Sequence, residues 1–145
     1  MTSETTWVVV ADGNVARFFT RVREGVPLVE IDKLALTAAS ERQKHGRETL
    51  VHDGVNHGRQ VRPAHENVQN TDELHFLRHI AGRINLAVEE HAVGRLVLCA
   101  PPRALGALRD HLTAPARALI VVEIAKDLVR EGLRDIDERL KPSKA

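Results

Sequence analysis

The first third of the chain alternates short apolar runs with turn signals. Residues 7–11 (WVVVA) are fully apolar, and Asp12-Gly13-Asn14 separates them from a second, largely apolar run at residues 16–22. Asp and Gly both tolerate positive φ, so Asp-Gly between two such runs is a strong hairpin signal. A second turn at Glu24-Gly25 leads to residues 27–34, where apolar and polar positions alternate as in a half-exposed strand. The pattern predicts three antiparallel strands.

Beyond residue 70 the spacing of the apolar positions changes to that of helices. Asn70 followed three residues later by Glu73 predicts a capped helix start. The predicted helix carries an apolar stripe at Leu74, Leu77, Ala81, Ile84 and Val88, widened by Phe76 and Ile80. Two short apolar runs, residues 95–100 and 118–124, then predict buried strands. Between these two runs we expect a helix that begins at Pro101-Pro102 and is closed by Pro115. After the second run we expect a last helix, which follows Gly132.

The predicted order βββ-α-β-α-β-α fixes the expected fold class. Strands joined through helices pair in parallel by right-handed crossovers. We therefore expect one α/β domain over residues 1–145, with a mixed five-stranded sheet of ribonuclease-H-like topology. Nucleases of that type hold two divalent metals on clustered carboxylates. The run at residues 95–100 contains no acid, so the sequence predicts no metal site of this kind.

A long polar segment, residues 35–70, separates the two halves and has neither strand nor helix periodicity. Segments of this length are usually functional or disordered. Their low apolar density does not offset the ordering entropy of about 1–2 kcal/mol per residue, so we expect this one to be mobile in the isolated protein. Its cations are candidates for contacts with RNA phosphates: Arg42, Lys44, Arg47, Arg59 and Arg62.

Four acids and four histidines share this segment with the five cations. Its net charge is +1 with neutral histidines and +5 when all four are protonated. Histidine titrates near pH 6.5, so nucleic-acid binding is expected to strengthen as the pH falls from about 7.5 to 5.5. The spacings of 7, 5 and 8 between these histidines match no zinc-binding pattern, and the only cysteine, Cys99, lies in an apolar run. We predict no metal ion and no cofactor.

Composition narrows the class of partner further. The net charge of +1 gives no global field that would hold a polyanion. The aromatic fraction of 3%, with no tyrosine, disfavours binding of single strands by base stacking. No apolar run approaches 18 residues and no signal peptide is recognised, so the expected location is the cytoplasm, without membrane contact. The oligomeric state is left open.

Several strings together resemble a known family. They are residues 7–13 (WVVVADG) with Ala16-Arg17, 96–102 (LVLCAPP), 105–109 (LGALR) and 126–128 (KDL). They are similar to the proteins required for attachment to host cells, a family of bacterial relatives of the archaeal and eukaryotic peptide-release factors. In the release-factor middle domain an Asp-Gly hairpin precedes a long basic loop. The Gly-Gly-Gln tip of that loop positions water at the peptidyl-tRNA ester.

This resemblance implies candidate residues and two functions. The segment 35–70 would correspond to the release-factor loop, and its nearest string to the tip is His57-Gly58-Arg59-Gln60, where Arg replaces one Gly. The first hypothesis is a non-enzymatic binding protein that acts on translation or RNA, with the ribosome or tRNA as its partner. The alternative is a hydrolase of a tRNA-linked ester, in which His57 and Gln60 would position water. No Ser-His-Asp or Cys-His spacing adds support to the alternative.

Overall fold

The computed structural model describes residues 4–41 and 65–141, with side chains described for residues 4–41 and 71–141. The strands in these residues are β1 (Thr6–Ala11), β2 (Val15–Arg21), β3 (Val29–Glu30), β4 (Leu36–Thr37), β5 (Arg95–Cys99) and β6 (Ile120–Ile124). The helices are α1 (His65–Glu89), α2 (Pro102–His111), α3 (Ala114–Ala118) and α4 (Leu133–Leu140). A 3-10 turn covers Asp32–Leu34, and residues 38–41 are also helical. The predicted α/β class is confirmed.

The strands form one mixed sheet in the order β3-β2-β1-β5-β6, with β4 also pairing with β2. β1 is antiparallel to β2 and parallel to β5, and β5 is parallel to β6. The predicted hairpin joins β1 to β2. Its turn is closed by the Asp12 carboxylate, which accepts hydrogen bonds from the backbone N–H groups of Asn14 (2.7 Å) and Val15 (2.8 Å). Asp12 is therefore committed to turn geometry.

Both faces of the sheet are covered, because the strand residues alternate between two cores. On one face Val9, Phe18 and Leu98 pack under α1, α2 and α3. On the other face Val8, Phe19 and Cys99 pack against Leu128, from the segment that follows β6, and against Ile136 of α4. The domain thus has three layers: helices, sheet and helix.

The segment predicted as a loop, residues 35–70, is regular at both ends. β4 adds a sixth strand, with Leu36 and Ala38 buried in the core under α1. At the other end α1 begins at His65, so the prediction that Asn70 caps this helix is wrong. No Gly or Pro lies between these two positions, and asparagine inside a helix costs less than about 1 kcal/mol. Residues 42–64 lie outside the described residues, so their predicted mobility stays a prediction.

The third predicted strand is shorter than expected. Within residues 27–34 only Val29–Glu30 pairs with β2, and the chain then turns through Asp32–Leu34. The buried face of α1 also differs from the predicted apolar stripe. Leu74 is 45% exposed, whereas Phe76 and Leu77 are buried in the core.

Pro115 does not close a helix but opens one. It lies in the first turn of α3, where its missing N–H is not needed. The Thr113 hydroxyl caps this helix by accepting a hydrogen bond from the Ala116 N–H (3.3 Å).

The strand predicted at residues 118–124 is present as β6, but the prediction that it is buried is wrong. β6 is the last strand of the sheet, and Val121 and Val122 are 57% and 42% exposed. An apolar run of this length does not distinguish a central strand from an edge strand. In the described part of the chain, no helix is long and apolar enough to cross a membrane.

Candidate functional site

The parallel strands β1, β5 and β6 end at the same edge of the sheet, which we call the carboxyl edge. Three connections follow them there: the Asp12-Gly13-Asn14 turn, Pro101-Pro102 at the start of α2, and Ala125-Lys126-Asp127 after β6. Ligands of open α/β sheets commonly bind outside the carboxyl ends of the strands. A ligand-binding site is therefore expected at this edge.

The chain reaches the carboxyl edge shortly before residues 42–64. β4 runs along β2 toward the hairpin turn, with Leu36 opposite Ala16 and Thr37 opposite Val15. The Ala38 N–H then donates to the carbonyl oxygen of Asn14 in that turn (2.7 Å). Strand pairing and this hydrogen bond fix the chain to the hairpin just before residues 42–64.

The chain leaves residues 42–64 into α1, which is packed against the same turn. A Cβ atom placed on Gly13 would lie 2.8 Å from Cδ of Glu73 in α1, closer than such atoms approach one another. The far end of α1 is at the opposite, amino edge, where the Gly94 N–H donates to the Thr5 carbonyl (2.8 Å). Eight residues of α1, 65–72, precede Glu73, which amounts to about 12 Å of helix at 1.5 Å per residue.

Glu41 and His79 connect the entering chain to the side of α1. The Glu41 side chain is only 12% exposed, and its Oε1 lies 3.7 Å from Nδ1 of His79. Glu41 therefore belongs to the packed domain, and Glu66 belongs to α1. Residues 42–64 alone hold five cations and two acids, which gives +3 with neutral histidines, against +1 for residues 35–70.

The contact between Gly13 and Glu73 yields a testable prediction. Gly13→Ala is expected to lower the free energy of unfolding by about 1 kcal/mol, because the new methyl group displaces the Glu73 carboxyl. Glu73→Ala removes the obstacle, so Gly13→Ala should cost clearly less in that background. Urea denaturation of the four proteins in this double-mutant cycle measures the coupling. Equal costs in both backgrounds would mean that α1 does not press on the turn in solution.

The residues predicted for function lie outside the described residues. These are the catalytic candidates His57 and Gln60 and the nucleic-acid candidates Arg42, Lys44, Arg47, Arg59 and Arg62. The structure does not test whether they come together. The sequence did not reveal how the chain on either side of these candidates is held. Gly13 lies against Glu73, and Glu41 lies beside His79. Contacts between residues this far apart leave no local signal in the sequence.

The described residues supply no evident catalytic centre at the carboxyl edge. Within residues 4–41 and 71–141, whose side chains the structure describes, no three His, Cys, Asp or Glu side chains are grouped so that they could hold a metal ion. Burial raises the pKa of the Cys99 thiol to about 12, although nearby Arg139 opposes this shift. The thiol is therefore neutral at pH 7, whereas nucleophilic attack and metal ligation require the thiolate. Cys99 is a core residue, as the sequence predicted.

Comparison with known families decides the relationship of the chain. The family model described as "Protein required for attachment to host cells" matches residues 7–140. The chain belongs to this family. The match runs from β1 to the end of α4 and so includes every strand of the sheet, which confirms the resemblance to the host attachment family. No curated protein matches the chain.

Proposed function

We propose that this member of the host attachment family is a cytoplasmic, non-enzymatic protein that binds RNA of the translation apparatus, a ribosome or tRNA, through residues 42–64. The observation that carries the proposal is that the chain is held at the carboxyl edge on both sides of this segment, at Ala38 before it and at Glu73 after it. β4 and the Ala38 hydrogen bond hold the entry, while Glu73 packs the exit helix on Gly13. The described residues on both sides of the basic segment are thus held at the same edge of the sheet.

Charge supports RNA as the ligand. Residues 42–64 carry five cations against two acids, and positive charge concentrated in one segment favours contact with phosphates. Arg103 in the first turn of α2 and Lys126 after β6 are exposed at the same edge and add two cations there. The resemblance of the sequence to the release-factor middle domain, in which a basic loop after an Asp-Gly hairpin meets peptidyl-tRNA, supports the same class of ligand.

The first test is the salt dependence of binding to ribosomes and to tRNA. We expect wild-type protein to bind, and Arg47→Ala/Arg59→Ala/Arg62→Ala to reduce the slope of log K against log salt by about 2–3, since each lost phosphate contact removes about 0.7–0.9. Filter binding between about 50 and 200 mM salt measures this slope.

The matched control removes three exposed cations from the amino edge: Arg23→Ala/Arg95→Ala/Lys141→Ala. Arg95 and Lys141 make only exposed ion pairs, which contribute little to stability. The slope should stay at its wild-type value in this control. Equal losses in the two triple variants, or no binding by the wild type, would overturn the proposal.

The second test uses pH. Residues 42–64 contain His45, His52 and His57, so their charge rises from +3 to +6 as these side chains protonate. RNA binding should therefore be tighter at about pH 6.0 than at about pH 7.5. His45→Gln/His52→Gln/His57→Gln should bind equally at both values. Wild-type affinity that ignores pH would remove these histidines from the interface.

A further inference from the structure

The outward side of α1 is formed by five residues that share one line along the helix. Four helical residues turn about 40° more than one full turn, and seven turn about 20° less than two. Residues four and seven positions from Gly82 therefore lie within about 40° of its direction. These residues are exposed, and we call them the outer face of α1: His75, Arg78, Gly82, Leu86 and Glu89.

The flanks of α1 are bound to neighbouring elements, whereas the outer face is not. On one flank Arg83 donates to the carbonyl oxygen of Leu34, just before β4 (2.8 Å). On the other flank Asn85 donates to the His111 carbonyl (3.2 Å) and accepts from the Thr113 N–H (3.0 Å). The three ionisable side chains of the outer face make no hydrogen bond or ion pair with any residue that the structure describes. Within that part of the chain, the outer face does not help to hold the helical layer in place.

The glycine in the middle of the outer face lowers the stability of the helix. Glycine loses more backbone entropy than alanine when it enters a helix. A Cβ atom placed on Gly82 would meet no atom within 4 Å, so no described neighbour excludes a side chain there. A glycine does allow a second helix to approach closely, with about 8 Å between the two helix axes. The outer face therefore has the shape of a helix-packing surface.

We propose that two copies of this chain associate through the outer face of α1, with the two helices antiparallel and crossing at Gly82. A two-fold axis perpendicular to both helices uses the same patch on each copy, and places residues at equal distances from the centre opposite each other. The two glycines then meet at the centre. The two Leu86 side chains, each 53% exposed in the single chain, become covered on either side of it.

Charge complementarity selects a second copy in this orientation. His75 lies seven residues before Gly82 and Glu89 lies seven residues after it, about 10 Å to either side along the helix. Antiparallel helices therefore bring each Glu89 opposite His75 of the other copy and within one turn of Arg78. Parallel helices would instead place the two Arg78 side chains opposite each other, and likewise the two Glu89 side chains. The outer face is thus complementary to itself only when the helices run in opposite directions.

A larger residue at the crossing point tests the close approach of the two helices. Gly82→Gln should raise the urea midpoint of the single chain, because glutamine is the better helix former. The same change should weaken association at least tenfold, because two glutamine side chains keep the helices apart. Sedimentation velocity at about 50 µM should show dimers of the wild type and monomers of Gly82→Gln. A wild type that stays monomeric, or a variant that associates as tightly as the wild type, would overturn the proposal.

Cysteine cross-linking tests the antiparallel orientation. Arg78→Cys and Glu89→Cys are mixed, and one of them carries a tag, so that the three possible disulfide-linked pairs separate on non-reducing gels. With copper phenanthroline as the oxidant, the mixed pair should form faster than either like pair, because only the mixed pair brings two thiols together. It also keeps the native Arg78–Glu89 contact at its other end. Cys99 is buried and does not compete. Like pairs that form as fast as the mixed pair would contradict the antiparallel dimer.

A charge exchange tests the ends of the interface without a new bond. Arg78→Glu should weaken association about tenfold, and Arg78→Glu/Glu89→Arg should restore it, because the opposed charges are then exchanged between copies. The control is Arg23→Glu, which reverses an exposed charge at the amino edge and should leave association unchanged. A double variant no tighter than Arg78→Glu, or an equal loss in the control, would show that the outer face does not pair with itself.

Discussion

Leu98→Ala is expected to lower the free energy of unfolding by about 2–5 kcal/mol, the largest effect of any single substitution considered. Leu98 lies in β5 between β1 and β6, is fully buried, and packs under α1 and α2. Truncation to alanine removes apolar contacts and leaves a cavity that its neighbours, held in two layers, fill only in part. Urea denaturation monitored by circular dichroism measures the loss.

Val121→Ala is the matched control for this substitution. Val121 lies in the neighbouring parallel strand β6 but is 57% exposed, so its truncation should change the free energy of unfolding by less than about 1 kcal/mol. Similar losses for Leu98→Ala and Val121→Ala would show that β6 is covered in solution to the same degree as β5.

Arg17→Ala should have the second-largest effect, about 2–4 kcal/mol, because it breaks four hydrogen bonds at once. The guanidinium binds both carboxylate oxygens of Glu30 (2.9 Å each) and donates to the carbonyls of Val129 (2.9 Å) and Glu131 (2.6 Å). It also lies 5.0 Å from the ring centre of Phe19. The Arg17 and Glu30 side chains are only 18% and 25% exposed, so water replaces these contacts poorly. Thermal or urea denaturation measures the loss.

The control for Arg17→Ala is Arg139→Ala. Arg139 also makes a bidentate ion pair, with Glu131, but on the surface of α4. Its removal should therefore lower the free energy of unfolding much less. Arg17→Lys should recover only part of the stability, because a lysine cannot reach Glu30 and the two carbonyls together. Complete recovery would show that charge alone is sufficient at this position.

The same pair gives a pH dependence with a definite sign. The hydrogen bond from Arg17 holds the pKa of Glu30 below its ordinary value, against an opposing effect of burial. A lowered folded-state pKa means that the stabilisation is fully present above the unfolded-state value. It is lost as the pH falls through the folded-state value. The stability difference between wild type and Glu30→Gln should therefore be constant above about pH 5 and shrink below about pH 4.3. A difference that grew on acidification would exclude this role for the pair.

The elements that could be predicted from the sequence are those that local interactions specify. The Asp12-Gly13 hairpin depends on its own turn residues and on one side-chain oxygen two and three residues away. The order of strands and helices follows from apolar periodicity, and the parallel pairing of β1 with β5 follows from the connecting helix.

The remaining features depend on distant partners. Residues 120–124 have the apolar pattern of a central strand, but β6 is an edge strand because no later strand follows it in the described chain. β4 is only two residues long and forms because β2 offers a free edge at Ala16. The role of Arg17 depends on carbonyls 112 and 114 residues further along, for which no local pattern exists. Composition located the candidate segment, residues 42–64. The attachment of the residues on either side of it to the carboxyl edge could be seen only in the structure.

The position of β1 in the middle of the sheet has a consequence for synthesis of the chain. Its antiparallel partner β2 follows after a three-residue turn, but its parallel partner β5 begins only at Arg95. A nascent chain that has emerged as far as α1 can therefore form the hairpin while one edge of β1 stays unpaired. Contacts of such long sequence separation form late and slow the overall folding rate. We expect ribosome-bound chains ending before residue 95 to be digested readily by protease, and resistance to appear only once β5 has left the exit tunnel.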